Sequence, residues 1–166
     1  MDEGRRRYMS FSASDILEFA MRIEENGANF YRYAVQITKD EEAKGIFARL
    51  ADEELVHQKT FGRIFAAMEK AAPPESYAGE YGAYLRNYVD NTVIFTKEAL
   101  DRELAGVKDT LSALDFALRR EQDSILYYHE IKQVVPAGEH AAVDRVIEEE
   151  RRHFGILSEI KKRFQK

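Results

Sequence analysis

The chain has 166 residues, of which 45% are hydrophobic and 33% charged, with nine Gly and three Pro; this balance is typical of one helix-rich globular domain over residues 1–166 and excludes a disordered chain. Cys is absent, which excludes disulfides, thiolate metal sites and thiol nucleophiles within these residues. The net charge is only −5 and the basic residues are dispersed along the chain, so we expect no binding to nucleic acid. No stretch of the sequence approaches the roughly 18 apolar residues of a membrane-spanning helix. We therefore expect a cytoplasmic protein that does not bind a membrane.

The N-terminal half is predicted to form one helix pair. An N-terminal arm, residues 1–12, precedes helix A, which is expected over about residues 14–38 with Ser12 or Ser14 as its cap. After a short turn, helix B continues a helical apolar period to about Ala72, where two consecutive prolines stop it.

The C-terminal half contains a second helix pair after a long connection. Residues 73–109 are polar and rich in tyrosine, with a shorter helical piece predicted near 93–105. Helix C is expected from about residue 109 or 110 to Val135, and helix D over about 139–164 after a turn with Pro and Gly. Two short-turn pairs joined by a long link predict an all-α, ferritin-like four-helix bundle with its crossover connection between helices B and C.

Parts of the chain recur at a nearly constant distance. LEFAMRIE at residues 17–24 is followed, 97 positions later, by LDFALRRE at residues 114–121. The segments ELVH at 54–57 and ERRH at 150–153 lie 96 positions apart. The repeat predicts a duplicated helix hairpin with pseudo-two-fold symmetry.

Each predicted helix carries a glutamate inside its apolar stripe, and two of the helices add a histidine. The six residues are Glu24 on helix A, Glu54 and His57 on helix B, Glu121 on helix C, and Glu150 and His153 on helix D. The three-residue spacing of each Glu-His pair puts both side chains on one helical face. At about 1.5 Å of rise per residue, the hairpins bring all four carboxylates to one level. Because a buried carboxylate is costly unless it is paired or bound to a cation, the six residues are candidate metal ligands.

The donor set matches two divalent cations. Four carboxylates balance the charge of two such ions, and neutral imidazoles complete the coordination shells. Oxygen and nitrogen donors without sulfur suit iron or manganese, and zinc could also bind. The donor set alone does not select one of these metals.

The pattern Glu…GluxxHis…Glu…GluxxHis, with the segments LADEELVH at 50–57 and EEERRHFGIL at 148–157, resembles the rubrerythrin branch of the ferritin-like di-iron carboxylate proteins. The resemblance covers about residues 12–164 apart from the connection. It implies that Glu54 and Glu150 bridge two irons, that Glu24 and Glu121 are terminal ligands, and that His57 and His153 bind one iron each.

The resemblance also implies an activity. A reduced di-iron centre would reduce hydrogen peroxide to water and then be reduced again by an outside donor. Tyr31 and Tyr128 are the candidate catalytic residues, with hydroxyl groups that hydrogen-bond to carboxylates and orient them. We expect a role in oxidative-stress defence.

The chain departs from this family pattern in two respects. Rubrerythrins proper carry a C-terminal rubredoxin domain, and residues 1–166 contain no cysteine to build one. We therefore expect a separate electron donor such as a rubredoxin-type protein, and a homodimer. The additional glutamate that rubrerythrins carry one turn after the helix C ligand is Ser124 here, and the matching position on helix A is Gly27. We expect these small residues to leave room for peroxide or dioxygen beside the metals.

Three other interpretations stay open. One is a dioxygen-using oxidase or a dimanganese catalase. Another is iron oxidation and storage of the ferritin class, without haem because Leu55 stands where a bacterioferritin has its haem-binding methionine. A third is a bundle with structural metals or a partner-binding subunit.

The remaining acidic, histidine and tyrosine residues are expected to have ordinary roles. Solvated acidic faces are predicted at Glu25, Glu53, Glu148 and Glu149. Surface or packing roles are predicted for His129, His140, Tyr77, Tyr81, Tyr84 and Tyr88.

Overall fold

A computed structural model describes residues 11–71, 76–77, 84 and 97–165 of the chain. In chain order its elements are β1 (Phe11–Ser12), α1 (Ala13–Ile37), α2 (Glu41–Ala71), β2 (Ser76–Tyr77), α3 (Lys97–Leu104), α4 (Thr110–Val134), a 3-10 helix (Ala137–Glu139) and α5 (His140–Phe164). Within the described part of the chain, none of the helices is both long and apolar enough to cross a membrane.

The four long helices α1, α2, α4 and α5 correspond to the predicted helices A, B, C and D. Each end for which the sequence predicts a residue lies within one residue of that prediction. Asp109 caps α4: its carboxylate accepts a hydrogen bond from the Ser112 backbone N–H at 2.8 Å, and the Ser112 hydroxyl accepts one from the Asp109 N–H at 3.1 Å. Ser14 lies inside the first turn of α1, which begins at Ala13; it was therefore wrong as an N-cap. Ser12 immediately precedes the helix.

The helix α4 lies antiparallel to α1. Near the start of α1, the hydroxyl of Tyr127 donates to the backbone carbonyl of Ile16 at 2.9 Å. Further along α1, the ring of Phe30 packs on that of Phe116, with 4.5 Å between centroids. Since contacts late in α4 meet the start of α1 and early contacts meet its later part, the two helices run in opposite directions.

The helix α5 lies antiparallel to α2. Arg163, near the end of α5, pairs with Glu42 at the start of α2 at 2.6 Å. Arg63, further along α2, pairs with Glu139 just before α5 at 2.8 Å. Such exposed pairs add little stability, but they establish the direction of the two helices.

The connection between α2 and α4 crosses the length of the bundle. The Arg63–Glu139 pair places the later part of α2 beside the turn between α4 and α5. The start of α4 therefore lies at the opposite end, and the chain leaving α2 must travel there. This arrangement confirms the all-α, ferritin-like bundle with a crossover between the second and third long helices.

Part of the N-terminal arm and of the connection has regular structure. Phe11 and Ser12 pair antiparallel with Tyr77 and Ser76, so the arm is attached to the connection at these positions. The predicted helical piece is present as α3, and residues 93–96 of that prediction lie outside the described residues.

Of the predicted packing or interface tyrosines, Tyr84 is 47% exposed. Tyr81 and Tyr88 lie outside the described residues. At the end of the connection, the hydroxyl of Tyr33 in α1 donates to the backbone carbonyl of buried Val107 at 2.8 Å, which fixes the chain just before α4.

Two apolar clusters fill the bundle and leave a polar layer between them. The cluster nearer the start of α1 includes Ile16, Leu17, Ala20, Phe61, Ile64, Tyr127 and Ile131. The cluster nearer the end of α1 includes Phe30, Ala34, Phe47, Leu50, Leu114, Phe116 and Leu157. Burial of these side chains is the main favourable contribution to folding, and it also removes water from the polar layer.

Candidate metal centre

The polar layer contains all six predicted ligands. Each is at most 5% exposed: Glu24 on α1, Glu54 and His57 on α2, Glu121 on α4, and Glu150 and His153 on α5. Helix geometry explains this convergence, because the Glu-His pairs occupy one face of α2 and of α5 and the single glutamates face them from α1 and α4.

The six side chains form two overlapping groups of potential metal ligands. One group consists of Glu24, Glu54, His57 and Glu150, and the other of Glu54, Glu121, Glu150 and His153. Within each group one ligand atom per residue lies within 4.8 Å of the others. Glu54 and Glu150 belong to both groups, so their carboxylates lie between two adjacent potential ion positions.

Each imidazole Nδ1 is surrounded by three carboxylates in the same pattern. The Nδ1 atom of His57 lies 2.9 Å from Glu150 Oε1, 3.5 Å from Glu24 Oε2 and 3.9 Å from Glu54 Oε2. The corresponding distances of His153 Nδ1 are 3.1 Å to Glu150 Oε2, 3.7 Å to Glu121 Oε2 and 3.8 Å to Glu54 Oε1. The pseudo-two-fold symmetry of the repeat therefore extends to the site.

The hydrogen bonding of the cluster fits a pair of bound cations. Among the residues that the structure describes, four buried atoms of the site have no hydrogen-bond partner: Glu24 Oε2, His57 Nδ1, Glu121 Oε2 and Glu150 Oε1. His57 Nδ1 and Glu150 Oε1 are 2.9 Å apart but are not aligned for a hydrogen bond. Buried polar atoms are rarely left unpaired in native proteins, and hard or borderline divalent cations take such oxygen and imidazole donors.

The outer nitrogen of each histidine is bound by a carboxylate from the opposite helix. His57 Nε2 donates to Glu149 of α5 at 2.6 Å, and His153 Nε2 donates to Glu53 of α2 at 2.7 Å. Each bond directs the ring's Nδ1 atom towards the cluster. The prediction of simple solvated faces at Glu53 and Glu149 was therefore wrong, because antiparallel packing of α2 on α5 brings each residue over the other helix's histidine.

A sequence signal for this pair was present. Glu53 and Glu149 each precede a candidate bridging glutamate and recur 96 positions apart, so the repeated motif is Glu-Glu-x-x-His rather than Glu-x-x-His. By contrast, Glu25 and Glu148 are exposed. His129 is exposed and His140 is partly exposed, and both lie outside the cluster.

The two candidate catalytic tyrosines contact the glutamates of the opposite repeat. The Tyr31 hydroxyl donates to Glu121, and the Tyr128 hydroxyl donates to Glu24. Both side chains are almost completely buried. Burial raises the pKa of both phenols, and the nearby glutamates raise it further. The phenols therefore remain protonated donors that hold these two carboxylates in place.

Burial also shifts the titration of the terminal glutamates. The pKa of Glu121 rises to about 8, first through burial and then through repulsion from Glu150. Burial and the charge of Glu54 raise the pKa of Glu24 well above its ordinary value. Without a cation, these glutamates tend to hold protons.

Burial acts on the pKa of the histidines in the opposite sense, but their carboxylate neighbours decide the outcome. Burial alone would lower the pKa of each imidazole, but the adjoining carboxylates outweigh it. Glu121 and Glu150 raise the pKa of His153 to about 11. Glu150, Glu24 and Glu54 raise the pKa of His57. In the metal-free protein, protons thus balance the carboxylate charge that divalent cations would otherwise balance.

A cavity adjoins the cluster between α1 and α4. The volume of this cavity is about 20 Å3, which exceeds the roughly 10–15 Å3 that one water molecule needs. Its lining comprises Ile23, Asn26, Gly27, Phe30, Tyr31, Glu54, Phe116, Arg120, Glu121 and Ser124. Both predicted small residues, Gly27 and Ser124, therefore line a space beside the candidate ligands.

A side chain at Gly27 would affect a candidate metal ligand as well as the cavity. A Cβ at this position would lie 3.3 Å from both the Cδ and Oε2 atoms of Glu54. A larger residue would therefore push on a candidate ligand as well as fill the cavity. A leucine at this position cannot test the cavity alone.

Comparison with known proteins agrees with this geometry. A family model for rubrerythrin matches residues 15–161. The fold is similar to the crystal structure of a Thermotoga maritima protein described provisionally as a ferritin-like diiron-carboxylate protein; the TM-score is 0.65, the identity is 25%, and the match covers 94% of this chain and 98% of that chain. A search of curated proteins found no match. The chain belongs to the rubrerythrin family and has the ferritin-like diiron-carboxylate fold.

Proposed function

We propose that this chain is a non-haem di-iron oxidoreductase that reduces hydrogen peroxide. The main support is the pair of overlapping buried ligand groups that share Glu54 and Glu150. Glu24 and His57 would complete the shell of one ion, and Glu121 and His153 that of the other. The cavity beside them offers space for a small oxygen compound.

A bound ferrous pair would supply the two electrons that, with two protons, break the oxygen–oxygen bond of one peroxide and yield two waters. The protein's own part is positioning and exclusion. Tyr31 and Tyr128 orient the terminal carboxylates, and Glu149 and Glu53 orient the imidazoles. The two apolar clusters keep bulk water away from the layer.

Electrons to restore the reduced state would come from a separate protein or small donor. Residues 1–166 contain no cysteine, so they cannot themselves form the thiolate iron site of a rubredoxin. A rubredoxin-type protein is the proposed donor class.

The deciding experiment compares two oxidants. The protein is loaded anaerobically with ferrous iron, metals per chain are counted, and oxidation is followed by stopped-flow absorbance with stoichiometric peroxide or dioxygen. We expect two irons per chain and faster oxidation by peroxide. Glu121→Ala should reduce the iron count, whereas Glu25→Ala, which changes the exposed glutamate beside Glu24, should not.

Other outcomes would select other functions. Faster oxidation by dioxygen would favour an oxidase, and accumulation of many irons per chain would favour storage. Binding of fewer than one metal per chain would contradict the proposal.

A further inference from the structure

Arg120 is a charged residue in the wall of the cavity, and it has no role in the proposed reaction as described above. It lies on α4 one residue before the candidate ligand Glu121, and its side chain is only 16% exposed. Its guanidinium carbon lies over the ring of Phe116, another wall residue, 5.3 Å from the ring centroid. This cation–π contact holds the planar group against the cavity wall.

The acidic partners of Arg120 occupy one part of its guanidinium. Nη2 lies 2.9 Å from Asp123 of the same helix and 4.0 Å from Glu103 of α3. The distance to Glu103 is too long for a hydrogen bond. These two carboxylates together outweigh the charge of Arg120, so the cavity is not an obvious site for an additional anion.

The other part of the guanidinium is unsatisfied. Nε and Nη1 are both buried, and in the part of the chain that the structure describes neither has a hydrogen-bond acceptor. Buried N–H groups of a charged side chain are costly to leave unpaired. An acceptor held in the cavity would satisfy them.

The internal repeat shows that this donor is particular to one half of the site. The position 97 residues before Arg120 is Ile23, which lines the same cavity. Gly27 and Ser124 are related in the same way and both line it. At these two pairs of matched positions, the α4 residues Arg120 and Ser124 have side-chain hydrogen-bond donors, and the α1 residues Ile23 and Gly27 have none.

We propose that Arg120 determines the choice of oxidant by binding hydrogen peroxide in this cavity through its buried Nε–H and Nη1–H donors. Peroxide is neutral and small, and its two oxygens accept hydrogen bonds while its O–H groups donate. Glu54 and Glu121 also line the cavity, so peroxide held by Arg120 would lie beside the candidate metal ligands.

Dioxygen would gain much less from Arg120. It has no O–H group and is a poor hydrogen-bond acceptor, so it enters apolar space without needing the guanidinium. The inference rests on the proposed function, because it assigns a selective residue to the same site. It predicts that loss of Arg120 changes the ratio of the two oxidation rates rather than both rates equally.

The first test is kinetic and uses iron-loaded full-length protein. In Arg120→Met, oxidation by peroxide should slow by about tenfold or more, as expected for one lost hydrogen bond to a charged group. Oxidation by dioxygen and the iron count should stay unchanged. Arg120→Lys keeps the charge and one donor head and should be intermediate. Arg119→Met, on the exposed neighbour, is the matched control and should behave as wild type.

The second test measures binding without turnover. The protein is loaded with zinc, which cannot give electrons to peroxide, and is then titrated with hydrogen peroxide while the Arg120 Nε–H resonance is followed by NMR. A saturable shift that is absent on titration with dioxygen would support the inference. No shift at peroxide concentrations that saturate the kinetics would mean that water alone satisfies Arg120, and would overturn it.

Failure of this inference is distinguishable from failure of the proposed function. A wild-type protein that prefers dioxygen contradicts peroxide reduction, whatever Arg120 does. A wild-type protein that prefers peroxide, together with an Arg120→Met variant that keeps the same preference, contradicts only the role of Arg120. A proportionate loss of both rates and of iron would show that Arg120 is structural.

Discussion

Individual residues in this centre are held by contacts from the opposite helix. Glu149 of α5 binds the outer nitrogen of His57, and Glu53 of α2 binds that of His153. Glu53 also pairs with Arg152 at 3.2 Å. The two carboxylates differ in exposure, with 25% of the Glu53 side chain and 46% of the Glu149 side chain accessible.

Removing either outer carboxylate should weaken metal binding. Glu53→Gln and Glu149→Gln retain shape but lose the charge that orients the imidazole, so each should lower metal affinity by about 10–100-fold. Competition with a chromogenic chelator measures this. The control is Glu148→Gln, because Glu148 is exposed and pairs with Arg151 of its own helix. Equal affinities in all three variants would refute a role for these bonds.

The hydroxyl groups of Tyr31 and Tyr128 should contribute to metal affinity as well as to the stability of the fold. Tyr31→Phe and Tyr128→Phe each leave a buried carboxylate without its donor and should lower the free energy of unfolding by about 1–3 kcal/mol, together with metal affinity. Tyr127→Phe loses a bond to the Ile16 carbonyl and should lower stability only. Chemical denaturation and chelator competition separate the two effects. Reduced metal affinity in Tyr127→Phe would contradict this assignment.

At the level of elements, α1 lies against a candidate ligand of α2 at the position of a glycine in the metal layer. Gly27 lies where any Cβ would be 3.3 Å from the Glu54 carboxylate. At Gly45 in α2 and Gly155 in α5, an added Cβ would meet no neighbouring atom of the described residues within 4 Å. The helical glycines are therefore not equivalent, although each lies within a helix.

Alanine substitutions should reveal this difference. Gly45→Ala should raise the free energy of unfolding by about 0.5–1 kcal/mol, because alanine loses less conformational entropy in a helix. Gly27→Ala should gain less or nothing and should reduce metal affinity, because Glu54 must move. Thermal melts with and without metal test both. A full gain in Gly27→Ala with unchanged metal binding would show that Glu54 adapts freely.

At the scale of the whole molecule, the buried charges link folding to pH and to metal. In the metal-free folded chain, the pKa of Glu121 is about 8 instead of 4.5 and that of His153 is about 11 instead of 6.5. The folded state thus binds protons that the unfolded chain has already released above these ordinary values. The pKa of Glu150 is lowered, because the neighbouring imidazoles of His153 and His57 outweigh burial and the charge of Glu54. Glu150 therefore stabilises the folded state as pH rises, but only in acid, below the ordinary pKa of a glutamate.

The metal-free protein should therefore become less stable as pH rises. The slope of the free energy of unfolding with pH is negative wherever the folded state holds more protons, so the melting temperature should fall between about pH 5 and 8. Metal binding should release protons, strengthen with pH and raise the melting temperature. Calorimetry in buffers of different ionisation enthalpy measures the release. A metal-free melting temperature that rises over this range would contradict the shifts.

The amino-acid sequence alone determined the helices and the six candidate ligands. Helical periodicity is local, and a glutamate such as Glu24 inside an apolar stripe is visible without knowing what packs against it. The repeat and the short turns also placed the four carboxylates at one level, because the rise of a helix is constant.

Only the tertiary structure decided how the helix faces meet. It paired Glu149 with His57 across α2 and α5, directed the Tyr31 hydroxyl to Glu121, and enclosed Arg120 beside Phe116. These contacts join residues about 90 positions apart or depend on which side of a helix is covered. Burial makes each of these contacts necessary, because it removes the water that would otherwise hydrate the charged or polar group. Burial in turn depends on how the whole bundle packs.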